Sequence, residues 1–325
     1  MQSIEQLQNL INKAIAETKY TAKPTELYEP ISYLMELGGK RMRPVLVLLS
    51  TKLFGGSVLK ALDAAIGIEL FHNFTLMHDD IMDKAPLRRG KLTVHAKWDE
   101  SAAILSGDVM FVEAYKRMIK VNDSILRDVL DVFSDTASGV CQGQQADMNF
   151  EKRDNVSIEE YLQMIKQKTA ALLAGSMQIG ALIGGAEKQQ AQLLYEFGEN
   201  LGIAFQLQDD ILDVYGNPRK FGKQVGGDII SNKKTLMLIK AKQLAQNSVA
   251  AELDMWISNS DHHDNAEKVK AVTSIYNLLK VRQLAEIAME YFVKKALHAL
   301  DQVSVENSRK QVLRVFAEQL LIREH

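Results

Sequence analysis

Cysteine occurs once in this 325-residue sequence, at Cys141, so no disulfide can form within the chain and a reducing cytoplasm suits it. Proline is also scarce, with 5 residues, and no Pro-, Ser- or Gly-rich run separates halves of different composition. The expectation is a single domain spanning residues 1–325. Neither charge sign dominates. The 39 Lys and Arg against 41 Asp and Glu leave a formal charge of −2, which gives no electrostatic reason for a nucleic-acid partner. The longest uncharged run, TAALLAGSMQIGALIGGA over residues 169–186, is diluted by Thr, Ser, Gln and glycine. A membrane span needs roughly 20 predominantly apolar residues. No span is expected, and the run reads as the buried central helix of a large protein. The opening MQSIEQLQNLINKAI carries acid early and has no unbroken apolar centre, so it does not read as a signal peptide.

Sustained two-residue alternation is missing too, and nearly every segment carries helical spacing. RPVLVLLSTKLFGG places Pro44 in a first helical turn and Gly55-Gly56 at a helix stop. Ser157 and Glu160 stand at capping-box spacing at the start of SIEEYLQMIKQKTAALLAGS. Residues 61–83, 99–120, 124–148, 191–214, 234–247 and 281–300 read as further helices, and the fold class is all-α. Cys141, on such a stretch, reads as a small buried residue. DHHD at 261–264 reads as a polar loop.

Against these absences, carboxylates are concentrated in two places. TLMHDDIMDKAPLRRG holds Asp79, Asp80 and Asp83; FQLQDDILD holds Asp209, Asp210 and Asp213 in the same Asp-Asp-x-x-Asp pattern. On a helix, residues four apart share a face, with the middle aspartate about 100° round. Like charges at that spacing cost roughly 0.2–0.5 kcal/mol per pair. Apolar flanks make burial, and hence a compensating cation, the expectation. Asp oxygens without Cys are hard ligands, which points to Mg²⁺ rather than zinc. Mg²⁺ usually takes only one or two carboxylates and the remainder from substrate phosphate, so two such clusters suggest metal held between protein and a diphosphate.

Basic residues follow the same logic. KAPLRRGK (84–91) and GNPRKFGKQVGGD (216–228) are basic loops directly after the acidic helix ends, and GGKRMRP (38–44) sets Lys40, Arg41 and Arg43 at a helix start. The last is not a P-loop, because Leu34 stands where the first glycine would be needed. No Ser/His/Asp or Cys/His signature for a protein nucleophile is recognisable.

GGKRMRP, ELFHNFTLMHDDIMDKAPLRRG, GQQADM, KTA, FQLQDDILD and GKQVGGDI, in this order, resemble the trans-isoprenyl diphosphate synthases, or polyprenyl synthetases, from about residue 38 to 235. The resemblance implies antiparallel helices around a deep central cavity, a homodimer, and three Mg²⁺ ions bridging both aspartate motifs to an allylic diphosphate. It implies Asp79, Asp83 and Asp209 as direct metal ligands, with Asp80, Asp210 and Asp213 supporting them. Arg88, Lys168 and Lys223 would hold the allylic diphosphate, beside Thr169 and Lys233. Lys40, Arg43, His72 and Arg89 would hold isopentenyl diphosphate, while Gln206 and Asp147 order the site. In some relatives a basic C-terminal tail closes over the second substrate, and in the LLIREH here only Arg323 could serve. The implied reaction ionises the allylic C–O bond, adds the isopentenyl double bond to the cation, and loses a proton to the departing diphosphate.

In that family the fifth position before the first motif often forms the floor that limits chain growth. Phe74 stands there, Phe71 lies three residues further back, and Thr75 is one turn before Asp79. Helix geometry sets Phe71 about 80° and Phe74 about 140° round from Asp79. An aromatic floor implies a short product of about fifteen or twenty carbons, as in farnesyl or geranylgeranyl diphosphate synthases. Two rival readings remain. A class I terpene cyclase would not need GGKRMRP or the Arg88-Arg89 pair. A non-catalytic regulatory subunit would tend to lose an aspartate motif, and both are present.

Overall fold

The structure, a computed structural model, describes residues 3–216, 225–258 and 264–322. The described chain is built from α-helices with one very short hairpin. The expected helices are all found, at Leu62–Met82 (α4), Glu100–Met118 (α6), Asp123–Glu151 (α7), Lys188–Tyr215 (α10), Leu236–Leu244 and Val281–Gln302. Ile4–Glu17 (α1), Thr25–Glu36 (α2) and Met42–Leu53 (α3) precede them, and the one-turn Val94–Lys97 (α5) lies between α4 and α6. The chain divides into two compact units, Met1–Ala137 with Leu172–Tyr195, and Ser138–Ala171 with Glu196–His325.

In the first unit α4 packs against α3 and α6. Every residue from Ala64 to Phe71 is buried, so this part of α4 carries no amphipathic stripe. The strand-like VLVLL of α3 has the same explanation: Pro44–Thr51 are buried all round a helix rather than on one face of a sheet. Arg41, which sits among the expected anion-binding residues, has an internal task instead. Its backbone is left-handed (φ 48°) at the N-cap of α3. Its guanidinium donates to Glu69 of α4 at 2.5 Å, to the Met35 carbonyl of α2 at 2.6 Å and to Asn12 of α1 at 3.3 Å. Glu69 is itself buried, and a buried charge is tolerable only when paired in this way.

The basic segment 84–91, expected as a loop, forms part of a hairpin. Leu87 pairs with Leu92 and Arg88 with Lys91 across a two-residue turn. Arg89 (φ 53°) and Gly90 (φ 74°) both adopt positive φ, the requirement of the turn that matches strand twist. Two-residue strands are too short to show alternation, and Arg is an unusual residue for the turn's first position, so the sequence carries little signal.

In the second unit the helix announced by Ser157 starts as expected, with Glu160 N–H to Ser157 Oγ at 3.1 Å and Ser157 N–H to Glu160 Oε2 at 2.9 Å. It does not continue as a plain α-helix. Ile158–Ile165 (α8) passes into a π turn over Lys166–Ala170, where Ala171 N–H bonds to the Lys166 carbonyl, before Ala171–Ile183 (α9) resumes. The uncharged run is buried from Ala170 to Met177, as expected of a central helix. Among the described residues no helix is long and apolar enough to cross a membrane. Cys141 departs from expectation: it lies on α7 but on its exposed face. DHHD lies outside the described residues except for Asp264, the N-cap of the helix Asn265–Leu278.

Candidate active site

The first aspartate cluster ends α4. Asp80 is buried and takes two hydrogen bonds from Arg88, Nε to Oδ2 at 2.8 Å and Nη2 to Oδ1 at 2.7 Å. Asp79 is half-buried and Asp83, the C-cap, is exposed. Negative charge at a helix C-terminus opposes the helix dipole, an unfavourable placement of roughly 0.3–1 kcal/mol per group. Folding energetics alone give no reason for it.

Beside this helix end a group of cations is assembled from α3, α4 and the hairpin. Arg43 Nη1 lies 3.1 Å from His72 Nε2, and because guanidinium only donates, Nε2 is the acceptor. Burial, and then the guanidinium groups of Arg43, Arg89, Arg88 and Arg41, hold His72 well below its ordinary pKa. The imidazole is therefore neutral at pH 7. The Arg89 guanidinium lies against Gly39, where a Cβ would sit 2.8 Å from Nη2, and the backbone there (φ 140°) favours glycine. Burial and the neighbouring Arg41 lower the Arg89 pKa as well. Four guanidiniums close enough to lower the His72 pKa make a locality that favours an anion. Lys40 is exposed at its edge, with its carbonyl held by Gln8 Nε2 at 2.8 Å. The structure thus brings Arg43, Arg88 and Arg89 close to His72.

Phe71, Phe74 and Thr75 lie on the same helix. Phe71 is fully buried at the centre of a ring cluster, 5.6 Å from Phe74, 5.6 Å from Phe111 and 5.5 Å from Phe133 between centroids. Phe74 stacks on Phe111 at 5.1 Å and 9°, with His78 edge-on at 4.7 Å. Thr75 Oγ1 donates to the His72 carbonyl at 2.8 Å. Phe111 and Phe133, on α6 and α7, were not singled out from the sequence, because nothing in their own segments marks them.

The second cluster lies in the last two turns of α10, and the same division of labour recurs. Asp210 is buried, while Asp209 and Asp213 are half-buried one turn apart. Tyr161 donates its hydroxyl proton to Asp210 Oδ2, and Gln206 Nε2 donates to Oδ1 at 2.9 Å. Burial, with Asp228 nearby, pushes the Asp210 carboxyl up to about 7. Burial and Asp210 push the Tyr161 hydroxyl far up, so it stays a donor. Asp213 Oδ2 accepts from Asp228 N–H at 3.0 Å. Thr169, in the π turn, donates to Gln206 Oε1 at 3.0 Å, and Lys168 Nζ lies 2.6 Å from Asp147 Oδ2. Lys233 Nζ stands 4.0 Å from Asp228. Lys223 and Arg323 lie outside the described residues.

Both clusters therefore use the middle aspartate as an internal anchor and leave an outer pair, one turn apart, on the more open side. Among the described residues no three His, Cys, Asp or Glu side chains converge tightly enough to hold a metal unaided. The oxygen-only donor set of each outer pair nonetheless fits Mg²⁺, which takes one or two carboxylates and completes its shell with water and phosphate.

Comparison with known proteins agrees with this geometry. Residues 24–276 match the polyprenyl synthetase family. Over 233 residues the chain is 42% identical to a geranylgeranyl diphosphate synthase of Methanosarcina mazei, covering 71% of this chain and 72% of that protein. It is 36% identical over 326 residues to a short chain isoprenyl diphosphate synthase of Methanothermobacter thermautotrophicus, covering 100% of this chain and 99% of that one. A crystal structure of a geranylgeranyl pyrophosphate synthase, 42% identical, superposes with a TM-score of 0.94 over 100% of both chains. The fold is the all-α isoprenoid synthase fold, and the chain is a prenyltransferase belonging to the polyprenyl synthetase family.

Proposed function

We propose that this prenyltransferase carries out the Mg²⁺-dependent 1′-4 condensation of isopentenyl diphosphate with an allylic diphosphate, releasing diphosphate and a short trans-prenyl diphosphate of about fifteen or twenty carbons. The observation that carries this reading is the repeated aspartate arrangement: a buried, protein-bonded middle carboxylate with a less buried outer pair one turn apart, at the ends of both α4 and α10.

In this reading Asp79, Asp83 and Asp209 are the direct ligands of three Mg²⁺ ions, and Asp80, Asp210 and Asp213 hold them in place. Bound Mg²⁺ supplies the positive charge that stabilises the departing diphosphate. Lys168, Thr169, Arg88, Lys223 and Lys233 orient the allylic diphosphate. Lys40, Arg43, His72 and Arg89 hold isopentenyl diphosphate; a neutral His72 can donate its Nδ1–H without adding charge. With both diphosphates held, the allylic C–O bond ionises, the isopentenyl double bond adds to the allylic cation, and the departing diphosphate takes the proton that is lost to restore an alkene. No side-chain nucleophile is required. The ring cluster around Phe71 and Phe74 forms the floor that stops elongation.

The reading includes one catalytic domain over the whole chain, in a cytoplasmic homodimer. Leu105, Val112 and Ile119 support the dimer: they recur every seven residues on α6 and beyond its end, and each is more than half exposed.

The test is incubation of purified protein with Mg²⁺, isopentenyl diphosphate and five-, ten- or fifteen-carbon allylic diphosphates, followed by dephosphorylation and chromatographic sizing. Discrete alcohols of about fifteen or twenty carbons are expected. Cyclic hydrocarbons from an allylic diphosphate alone would mean a terpene cyclase, and absence of turnover a regulatory subunit.

A further inference from the structure

Tyr161 belongs to none of the motifs that mark the site, yet it is one of the largest fully enclosed side chains of the protein. Its hydroxyl is committed to Asp210 Oδ2. Two further residues complete a continuous chain: Gln206 Nε2 donates to Asp210 Oδ1 at 2.9 Å, and Thr169 Oγ1 to Gln206 Oε1 at 3.0 Å. Two residues of one helical segment, Tyr161 and Thr169, thus grip two residues of α10 that share a face, Gln206 and Asp210.

That double grip depends on the π turn. Eight residues of ordinary α-helix would turn Thr169 about 80° away from Tyr161, at 100° per residue. The i→i+5 bond at Lys166–Ala170 absorbs one extra residue, which returns Thr169 to within about 20° of the Tyr161 direction. Two glycines make room for it. A Cβ on Gly143 would fall 2.2 Å from Lys168 N, and one on Gly202 would fall 2.6 Å from Ala170 Cα. The wide turn is therefore enclosed by closely approaching backbone on α7 and α10.

We infer that Tyr161 is a positioning residue for the second aspartate cluster, fixing Asp210 and through it the orientation of the Asp209–Asp213 pair toward Mg²⁺–diphosphate, with the π turn as the device that aligns Tyr161 and Thr169 for this purpose. The inference rests on the function proposed above. It gives Asp210 a supporting role, because each of its oxygens already accepts a hydrogen bond from a protein donor. It also separates two substrate sites: Tyr161 acts on the aspartates of α10, not on the cation group of α3, α4 and the hairpin.

Tyr161→Phe removes the hydroxyl and keeps the ring. Calorimetric titration of Mg²⁺ into wild type and variant, in the presence of inorganic diphosphate, reads the effect without catalysis. A loss of metal affinity of roughly 10–100-fold is expected, the range for outer partners of metal ligands. In steady state the Mg²⁺ concentration for half-maximal rate rises similarly, while KM for isopentenyl diphosphate stays within about twofold. Melting followed by circular dichroism shows whether both proteins are folded. Unchanged Mg²⁺ affinity in a folded variant overturns the inference, whatever the melting temperature does. If wild type binds Mg²⁺ and diphosphate but turns over no isopentenyl diphosphate, the proposed function fails while the titration still decides the role of Tyr161.

Discussion

Arg88 and Asp80 are joined by two hydrogen bonds of 2.8 and 2.7 Å that run from the hairpin to the last turn of α4. The aspartate is 3% exposed in its side chain and the arginine 24%. Removing the arginine strands a buried carboxylate, which costs 3–5 kcal/mol when both partners are fully buried. Partial solvent access to Arg88 reduces that. Arg88→Ala is expected to lower stability by about 2 kcal/mol in urea unfolding. Asp80→Asn, which leaves the cation near solvent, should be milder.

Asp210 gives a pH signature. Its carboxyl is raised from 3.8 to about 7, first by burial and then by Asp228. Between about pH 4 and pH 7 the folded, metal-free protein therefore binds more protons at this group than the unfolded chain does. Stability from this group is greatest at the acid end and declines as pH rises through that window. Asp210→Asn removes the titration. With metal chelated, the difference in urea midpoint between wild type and Asp210→Asn should move in the variant's favour from pH 5 to pH 7.5.

The ring cluster makes a prediction about product size. Phe74 is half-buried and stacked on Phe111, whereas Phe71 is fully enclosed. Phe74→Ala should lengthen the product by at least one five-carbon unit in chromatography of the dephosphorylated alcohols. Phe71→Ala should lengthen it too, but with a stability loss of about 3–5 kcal/mol. An unchanged product from both variants refutes the floor.

Gly143 sits where α7 meets the π turn. The methyl of Gly143→Ala would lie 2.2 Å from Lys168 N, against backbone that cannot rotate away. The expected cost is about 1–3 kcal/mol of stability, the range for overpacking. The displaced Lys168 and Thr169 should also raise KM for the allylic diphosphate more than KM for isopentenyl diphosphate, measured by varying each at saturating levels of the other.

Much of this was legible in the residues. The helix read at 61–83 spans Leu62–Met82, and that read at 281–300 spans Val281–Gln302, because long elements carry their caps and periodicity with them. Both aspartate triplets were legible from composition, since clustered carboxylates at helical spacing are unfavourable without a cation. The hairpin was not, because two-residue strands leave no pattern. Nor was the π turn: KQKTA has ordinary helix formers, and the wide turn reflects the close approach of Gly143 and Gly202. Tyr161 escaped notice, and Arg41 was read as an anion-binding candidate, for a common reason. Their partners, Asp210 and Glu69, are 49 and 28 residues away, so only the fold shows that one serves the site and the other the core. Cys141 was expected to be buried, and the exposed face of α7 shows how little a single small residue says about helix orientation.

The most direct measurement compares wild type with Asp79→Asn and Asp209→Asn, varying Mg²⁺ at saturating isopentenyl and allylic diphosphates and following release of diphosphate. If both outer carboxylates hold metal against one departing diphosphate, each substitution lowers kcat by at least about 100-fold, as losing one preorganised transition-state contact does, and raises the Mg²⁺ requirement. If either variant keeps the wild-type kcat and Mg²⁺ dependence, the two clusters do not act together on the same group.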